Sequence, residues 1–367
     1  MKKPSPKKRL SRFVPDESAF PNLTIRDRDW EIIQTINEYR YLDFDLIWRL
    51  MSAKYGQRDV EYNRGKDGKK RPKRYGFTEQ ALHKRLKQLF NARYLNRQGI
   101  ADEPVGRGYG SPRVIYSIGP KSADFISKLT GTSIEKIRSV IKSDKKKPFF
   151  LRHALEISKF RTTLELACLK SNGYVNLLFW KQGRELADHV RDKSGNKYSI
   201  IPDGMFSLSV SGKGKANFML EMDRGTMNIS SPTSKSDICR KLKGFWHYRK
   251  AGKHSQKYYY KKTGDGQIVD LGILKGDEKY IPNDKLEWLQ GFTVLFVTPG
   301  RLNSDGTVGG RLANILAEFP QFERDIATSS LFWFTPIDQF DIDNPESVFA
   351  KVWKTPNPQK GLRSLID

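Results

Sequence analysis

The chain is 367 residues long, room for two domains with sizeable cores. At 37% hydrophobic residues it is too apolar for wholesale disorder, and no apolar run approaches the roughly 20 residues of a bilayer span. A formal charge of +25 points to a polyanionic partner. Residues 1–150 hold 34 Lys and Arg against 17 Asp and Glu, whereas residues 151–367 hold 32 against 24. Nucleic acid is therefore the expected partner, with most of the electrostatic attraction in the first half. The basic start MKKPSPKKRLSRF has no apolar segment behind it, so it is not a signal peptide. With only Cys168 and Cys239, a disulfide framework or a Cys-based zinc site is excluded. A cytoplasmic protein is the expectation.

Composition divides the chain into a basic disordered tail (1–21), a DNA-binding domain (22–140), a basic linker (141–149) and a second domain (150–367). Two segments rich in Gly and Lys, 58–76 and 251–267, read as inserted loops.

In TIRDRDWEIIQTINEYR, Thr24 is placed to cap a helix that carries Trp30, Ile33 and Ile36 at helical spacing. FDLIWRLM follows a second cap, Asp43. In TEQALHKRLKQLFNARYLNR, Leu82, Leu86 and Leu89 share a core face. Gln80, Lys84, Lys87, Gln88 and Asn91 then share the opposite face, a set of long donors suited to phosphates and base edges. Strand-like runs around Tyr94–Gln98 and Val114–Ile118 flank a Gly-rich turn with Arg107, Tyr109 and Arg113. Arginines at such a tip suit a minor-groove or backbone contact. Helix, helix, polar helix and basic two-stranded wing together describe a winged helix-turn-helix that binds double-stranded DNA.

The second domain opens with the helix HALEISKFRTTLELACLK, with Ile157, Phe160 and Leu164 on its core side. The strand-like KYSIIPDGMFSLSV passes through Pro202–Asp203, and KANFMLEMDRGT ends in Glu221 and Asp223. Residues i and i+2 of a strand project to one face. If the two strands pair near Asp203, three carboxylates converge, and their oxygens are the ligands Mg²⁺ and Mn²⁺ prefer. The helix SKSDICRKLKGFWHYRK brings Lys241 and other cations over these acids. FTVLFVTPG, GGRLANILAEF and SSLFWFTP complete a mixed sheet with helices on its faces, so the fold class is α+β and α/β. Tyr258, Tyr259 and Tyr260 read as a strand or loop edge, with base stacking as the alternative.

An acid on one strand and Glu-x-acid on the next, flanked by helices, resembles the PD-(D/E)xK nuclease fold. Three stretches make nearly the whole chain, from Leu23 to about Lys354, similar to the replication-relaxation family of plasmid and mobile-element proteins. They are LTIRDRDWEIIQTINEYRYL, GRGYGSPRVIYSIGP and the string HALEISKF…PDGMFSL…FMLEMDRGT…KLKGFWHY. The resemblance implies action in DNA replication or relaxation, through a winged helix joined to a nuclease-like domain that nicks or cleaves DNA with Mg²⁺ or Mn²⁺. It implies Asp203 and Glu221 as metal ligands, with Glu165 in the position of an acid that some such nucleases add.

Where the nuclease pattern has lysine, this sequence has Asp223, which cannot stabilise developing negative charge. It can still bind a second metal or accept a proton, and Lys241 is then the cation that substitutes from the next helix. The alternative is a non-catalytic DNA-binding replication accessory or regulator with a degenerate nuclease fold. A second copy of the chain and replication or mobilisation proteins are the further partners expected.

Overall fold

Ile32, Ile33 and Ile36 bury one face of helix α1 (Asp27–Tyr39), and Leu82, Leu86 and Leu89 do the same for α3 (Glu79–Asn91). The computed structural model describes residues 12–20, 22–56, 62–64, 70–72, 78–100, 112–142, 147–231, 237–274, 287–322, 324–327, 329–357 and 359–367. The chain is α+β and falls into two compact units, Met1–Thr162 and Thr163–Asp367. No described helix is long and apolar enough to cross a membrane.

Unit 1 runs α1, β1 (Leu42–Asp43), α2 (Phe44–Tyr55), the hairpin β2 (Tyr62–Arg64) and β3 (Lys70–Pro72), α3, β4 (Leu95–Ile100) and β5 (Arg113–Ile118). Strands β1, β5 and β4 form an antiparallel sheet in that order. Helices α4 (Ala123–Thr130), α5 (Ile134–Lys142) and α6 (Pro148–Lys170) follow, and the division between the units falls inside α6. Ser158 and Arg161 of α6 donate to the carbonyls of Tyr41 (2.8 Å) and Glu38 (2.9 Å).

Asp43 caps α2 as expected, accepting from the Leu46 N–H at 2.9 Å. Thr24 does not cap α1. The helix starts at Asp27, with the Arg26 N–H on the Asp29 carboxylate at 2.8 Å, while the Thr24 carbonyl accepts from Arg85 at 2.7 Å. Residues 12–20, expected to belong to a disordered tail, are held in place. Glu17 pairs with Arg93 at 3.1 Å, the Asp16 N–H donates to Asn91 Oδ1 at 3.2 Å, and Phe13 packs so closely on Gly99 that a Cβ there would lie 2.7 Å from its ring.

Unit 2 contains β6 (Val175–Lys181), the hairpin β7 (Asp188–Arg191) and β8 (Lys197–Ile200), β9 (Gly204–Val210), β10 (Gly214–Met222) and α7 (Ile238–Lys250). Then come α8 (His254–Lys257), β11 (Tyr258–Lys262), β12 (Ile268–Ile273), β13 (Glu287–Trp288) and β14 (Thr293–Thr298). They are followed by β15 (Arg301–Leu302), β16 (Val308–Gly309), α9 (Arg311–Ala317), α10 (Arg324–Ala327) and β17 (Phe332–Pro336). The central sheet has the order β17-β14-β10-β9-β6, parallel across the first three strands and antiparallel across the rest. Alternation in β10 sends Phe218 onto Phe206 on one face and Met219 into a core with Ile238, Leu242 and Phe245 of α7 on the other.

Two expectations change here. KYSIIPDGMFSLSV is two strands: β8 pairs with β7, and only β9 joins the central sheet. Segment 251–267 is built structure, since β11 lies between β12 and β13. Tyr258 and Tyr260 point into the core, with their hydroxyls on the Leu186 carbonyl (3.1 Å) and Asn217 Oδ1 (2.7 Å). That alternation outweighs the Gly and Lys content. Segment 58–76 likewise holds the β2–β3 hairpin.

The interaction tying α3 to α1 is open to test. Asp29 is 2% exposed and takes Arg85 through both carboxylate oxygens. Arg85→Met leaves that carboxylate buried without its cation, so a loss of about 3 kcal/mol is expected in chemical denaturation of unit 1's transition.

Candidate functional site

Register brings the acids together. Gly204 of β9 faces Leu220 of β10, which sets Asp203 beside Glu221, and the Asp203 N–H donates to the Leu220 carbonyl at 2.9 Å. The Met222 N–H returns to Asp203 Oδ2 at 2.8 Å. Glu221 and Asp223 leave β10 on the face covered by α7, and both are buried, at 2% and 8% exposure. This is the carboxyl end of three parallel strands, where open α/β sheets form their ligand crevices.

Asp237 caps α7, accepting from the Arg240 N–H at 2.7 Å, and so starts the helix with Lys241 in its first turn. Lys241 Nζ lies 2.5 Å from Glu221 Oε2. Burial alone pulls the ammonium's pKa down. Attraction to Glu221, Asp203 and Asp223 outweighs this and holds it above the ordinary lysine value of 10.5. Lys241 is thus a cation throughout the neutral range, and its contribution to stability, complete below about pH 10.5, is lost only as pH rises through the raised value.

Asp223 is engaged differently. Arg311, the first residue of α9, reaches it through Nε (2.5 Å to Oδ2) and Nη2 (3.3 Å to Oδ1). The Thr298 hydroxyl donates to Oδ2 at 2.7 Å and the Gly225 N–H to Oδ1 at 2.9 Å. Gly225 has φ +79°, the left-handed conformation that lets its N–H turn back onto the carboxylate. Both oxygens of Asp223 are therefore occupied, which leaves little capacity for a second metal.

Arg311 and Thr298 escape a reading of the sequence, because Arg311 lies 88 positions beyond its partner. One signal is present: an arginine at a helix start opposes the helix dipole, so it needs an anion nearby.

Asp203, Glu221 and Asp223 against Lys241 and Arg311 leave a formal charge of −1 on these five side chains. The donors are all oxygen, which suits Mg²⁺ or Mn²⁺. Among the described residues no group of three or more His, Cys, Asp or Glu is arranged to hold an ion. Mg²⁺, however, commonly uses one or two carboxylates and completes its shell with water and substrate phosphate. Asp203 and Glu221 fit that role. Glu165 sits in α6 one turn before Cys168, whose thiol is pushed up to about 12 by burial first and by the Glu165 charge second.

On α3, Gln80, Lys84 and Lys87 are exposed together, and Thr78 starts the helix by accepting from the Ala81 N–H at 3.2 Å. Gln88 is half-buried and accepts from Arg85 Nη1 at 3.0 Å. Asn91 is buried, contrary to expectation, because the segment at Asp16 covers the end of the helix. Arg113, the first residue of β5, pairs with Ile100 at the end of the β4–β5 hairpin nearest the turn, and its Nε donates to Asp43 at 2.6 Å. Arg107 and Tyr109 lie outside the described residues, as do Lys145 and Lys146.

Among curated proteins and solved structures, nothing matches this chain. The family described as Replication-relaxation matches residues 69–262, more than half of the chain. The matched span contains α3, Asp203, Glu221, Asp223 and Lys241 but not Arg311. The chain belongs to the replication-relaxation family.

Proposed function

We propose that the protein acts in replication or relaxation of plasmid-type DNA by gripping duplex DNA with unit 1 and breaking a phosphodiester bond at the acid site of unit 2. The observation that carries this reading is the 2.5 Å pair between Lys241 and Glu221, with Asp203 beside it. An acid before β9, an acid in β10 and a lysine on one spot reproduce the working set of a PD-(D/E)xK nuclease, with the lysine supplied by α7. In unit 1, α1-β1-α2, the inserted β2–β3 hairpin and then α3-β4-β5 support a winged-helix reading, and the third helix presents Gln80, Lys84 and Lys87 to solvent.

Asp203 and Glu221 are the residues that would hold Mg²⁺ or Mn²⁺. When bound, such an ion supplies Lewis acidity to the phosphate and lowers the pKa of a bound water. Lys241, kept protonated, cannot act as a base. It donates to a phosphate oxygen and offsets the charge that builds there in the transition state. Asp223 holds the end of β10 to α9 through Arg311 and takes no part in proton transfer.

A second reading rests on that same arginine. With an acid in place of the motif's lysine, bonded to a guanidinium, the site also reads as a remnant held together by ion pairs in a protein that only binds DNA.

Relaxation of supercoiled plasmid in the presence of Mg²⁺ or Mn²⁺ separates the two. The parent is expected to nick, and Glu221→Gln and Lys241→Met are each expected to be slower by about 100-fold or more. A parent protein with no metal-dependent nicking, or a Glu221→Gln variant at the parental rate, leaves the second reading standing. Asp223→Asn is expected to lower the melting temperature while the folded fraction nicks within about threefold of the parent, since a structural carboxylate acts through stability.

Duplex binding tests unit 1. The logarithm of the association constant should fall linearly with that of salt concentration. Lys84→Gln and Lys87→Gln should each reduce the slope by about 1.

A further inference from the structure

At the amino ends of β10, β14 and β17, the opposite ends from the acids, unit 2 opens a cavity of about 670 Å³. That volume lies within the range of small-ligand sites. Lys215 and Arg249 line it, and no acidic residue does among the described residues. Trp246 forms an aromatic wall, three residues before Arg249 on α7, so the two share a side of that helix. Asn217 and Ser330 add polar groups.

The indole Nε1–H of Trp246 is buried and has no hydrogen-bond partner among the described residues. A buried donor left this way destabilises the protein until some acceptor meets it.

The positive charge lining the cavity is only partly offset. Glu287 pairs with Lys215 but also with Lys262, so those three groups retain one positive charge. Arg249 Nη1 stands 3.2 Å from His254 Nε2. Burial first, and then the Arg249 charge, hold this histidine's pKa below its ordinary value, so it is a neutral neighbour. Arg249 also lies against the Gly291 backbone, where a Cβ would come within 2.7 Å of its Nη2. It is a cation fixed in place beside an aromatic ring.

We propose that this cavity is a second site, which binds one nucleotide unit with its base on the Trp246 indole and its phosphate between Lys215 and Arg249. Stacking on an aromatic face accepts any base, and the two cations select the phosphate. The unit can be a free nucleotide or part of a single strand, since both present the same base and phosphate. The site uses none of Asp203, Glu221 and Lys241, so it stands or falls apart from the phosphodiester reading.

Calorimetric titration of the full chain with deoxyadenosine monophosphate, and separately with a short deoxyadenylate oligomer, tests the proposal. Saturable binding of the mononucleotide assigns the free nucleotide as the source, and binding of the oligomer alone assigns the strand. In whichever arm binds, Trp246→Leu is expected to weaken affinity about 5- to 100-fold. Arg249→Gln and Lys215→Gln are expected to weaken it as well. Lys215→Gln changes a partly exposed side chain, so a folding defect in Trp246→Leu does not remove the test. The proposal is overturned if neither ligand binds, or if binding survives unchanged in both Arg249→Gln and Lys215→Gln.

Discussion

A carboxylate sealed from water must be met by a cation, and at the end of β10 that requirement organises unit 2. Glu221 and Asp223 are both nearly out of solvent, and an unpaired ion in such a place costs on the order of several kcal/mol. Lys241 answers from α7 and Arg311 from α9, so a strand and two helices are joined at one point. A well-packed apolar pair would hold these elements together at least as firmly. Stability alone therefore does not explain why acids stand here, and the proposed phosphodiester reading gives Glu221 a reason.

The two pairs differ in kind. Asp223 is enclosed by a guanidinium, a hydroxyl and a backbone N–H, each directed at a particular lone pair. That is the pattern of a structural corner, rigid and fully satisfied. Glu221 meets a lysine ammonium, a point charge on a flexible stem whose three donors can be redirected. A phosphate entering the site can attract such an ammonium. The difference between arginine and lysine thus favours a structural role for Asp223, and under the proposed phosphodiester reading it leaves Glu221 as the acid nearest the chemistry.

Much of this was legible in the sequence, and the limits are physical. The apolar periodicity of α1 and α3 and the placing of Glu221 and Asp223 on one face depend only on spacing along the chain, so they could be read. Lys241 could be named because α7 follows β10 directly. Arg311 could not, since nothing local to it shows that β14 lies beside β10. Asn91 faces away from the leucine stripe, as its position dictates, yet it is buried because a distant segment folds over it. The partner of Arg113 was not legible either: Asp43 is a cap whose second oxygen is available to a strand that arrives 70 residues later. Segment 251–267 misleads by composition, because its lysines outnumber the two tyrosines that decide its strand.

Helix α7 gives the unit a further property. Lys241 in its first turn serves the acids, whereas Trp246 and Arg249 in its last turns line the cavity at the other end of the sheet. At 1.5 Å per residue, eight residues separate Lys241 from Arg249 by about 12 Å along the axis. Leu242, Phe245 and Tyr248 are buried and clamp the helix against the core between these two stations. The spacing between acids and cavity is therefore fixed by a packed element, not by a loop. A nucleotide held at Trp246 cannot slide the helix, so any influence it has on the acids must pass through the strand it would share with them, or through a nucleic-acid chain that spans both.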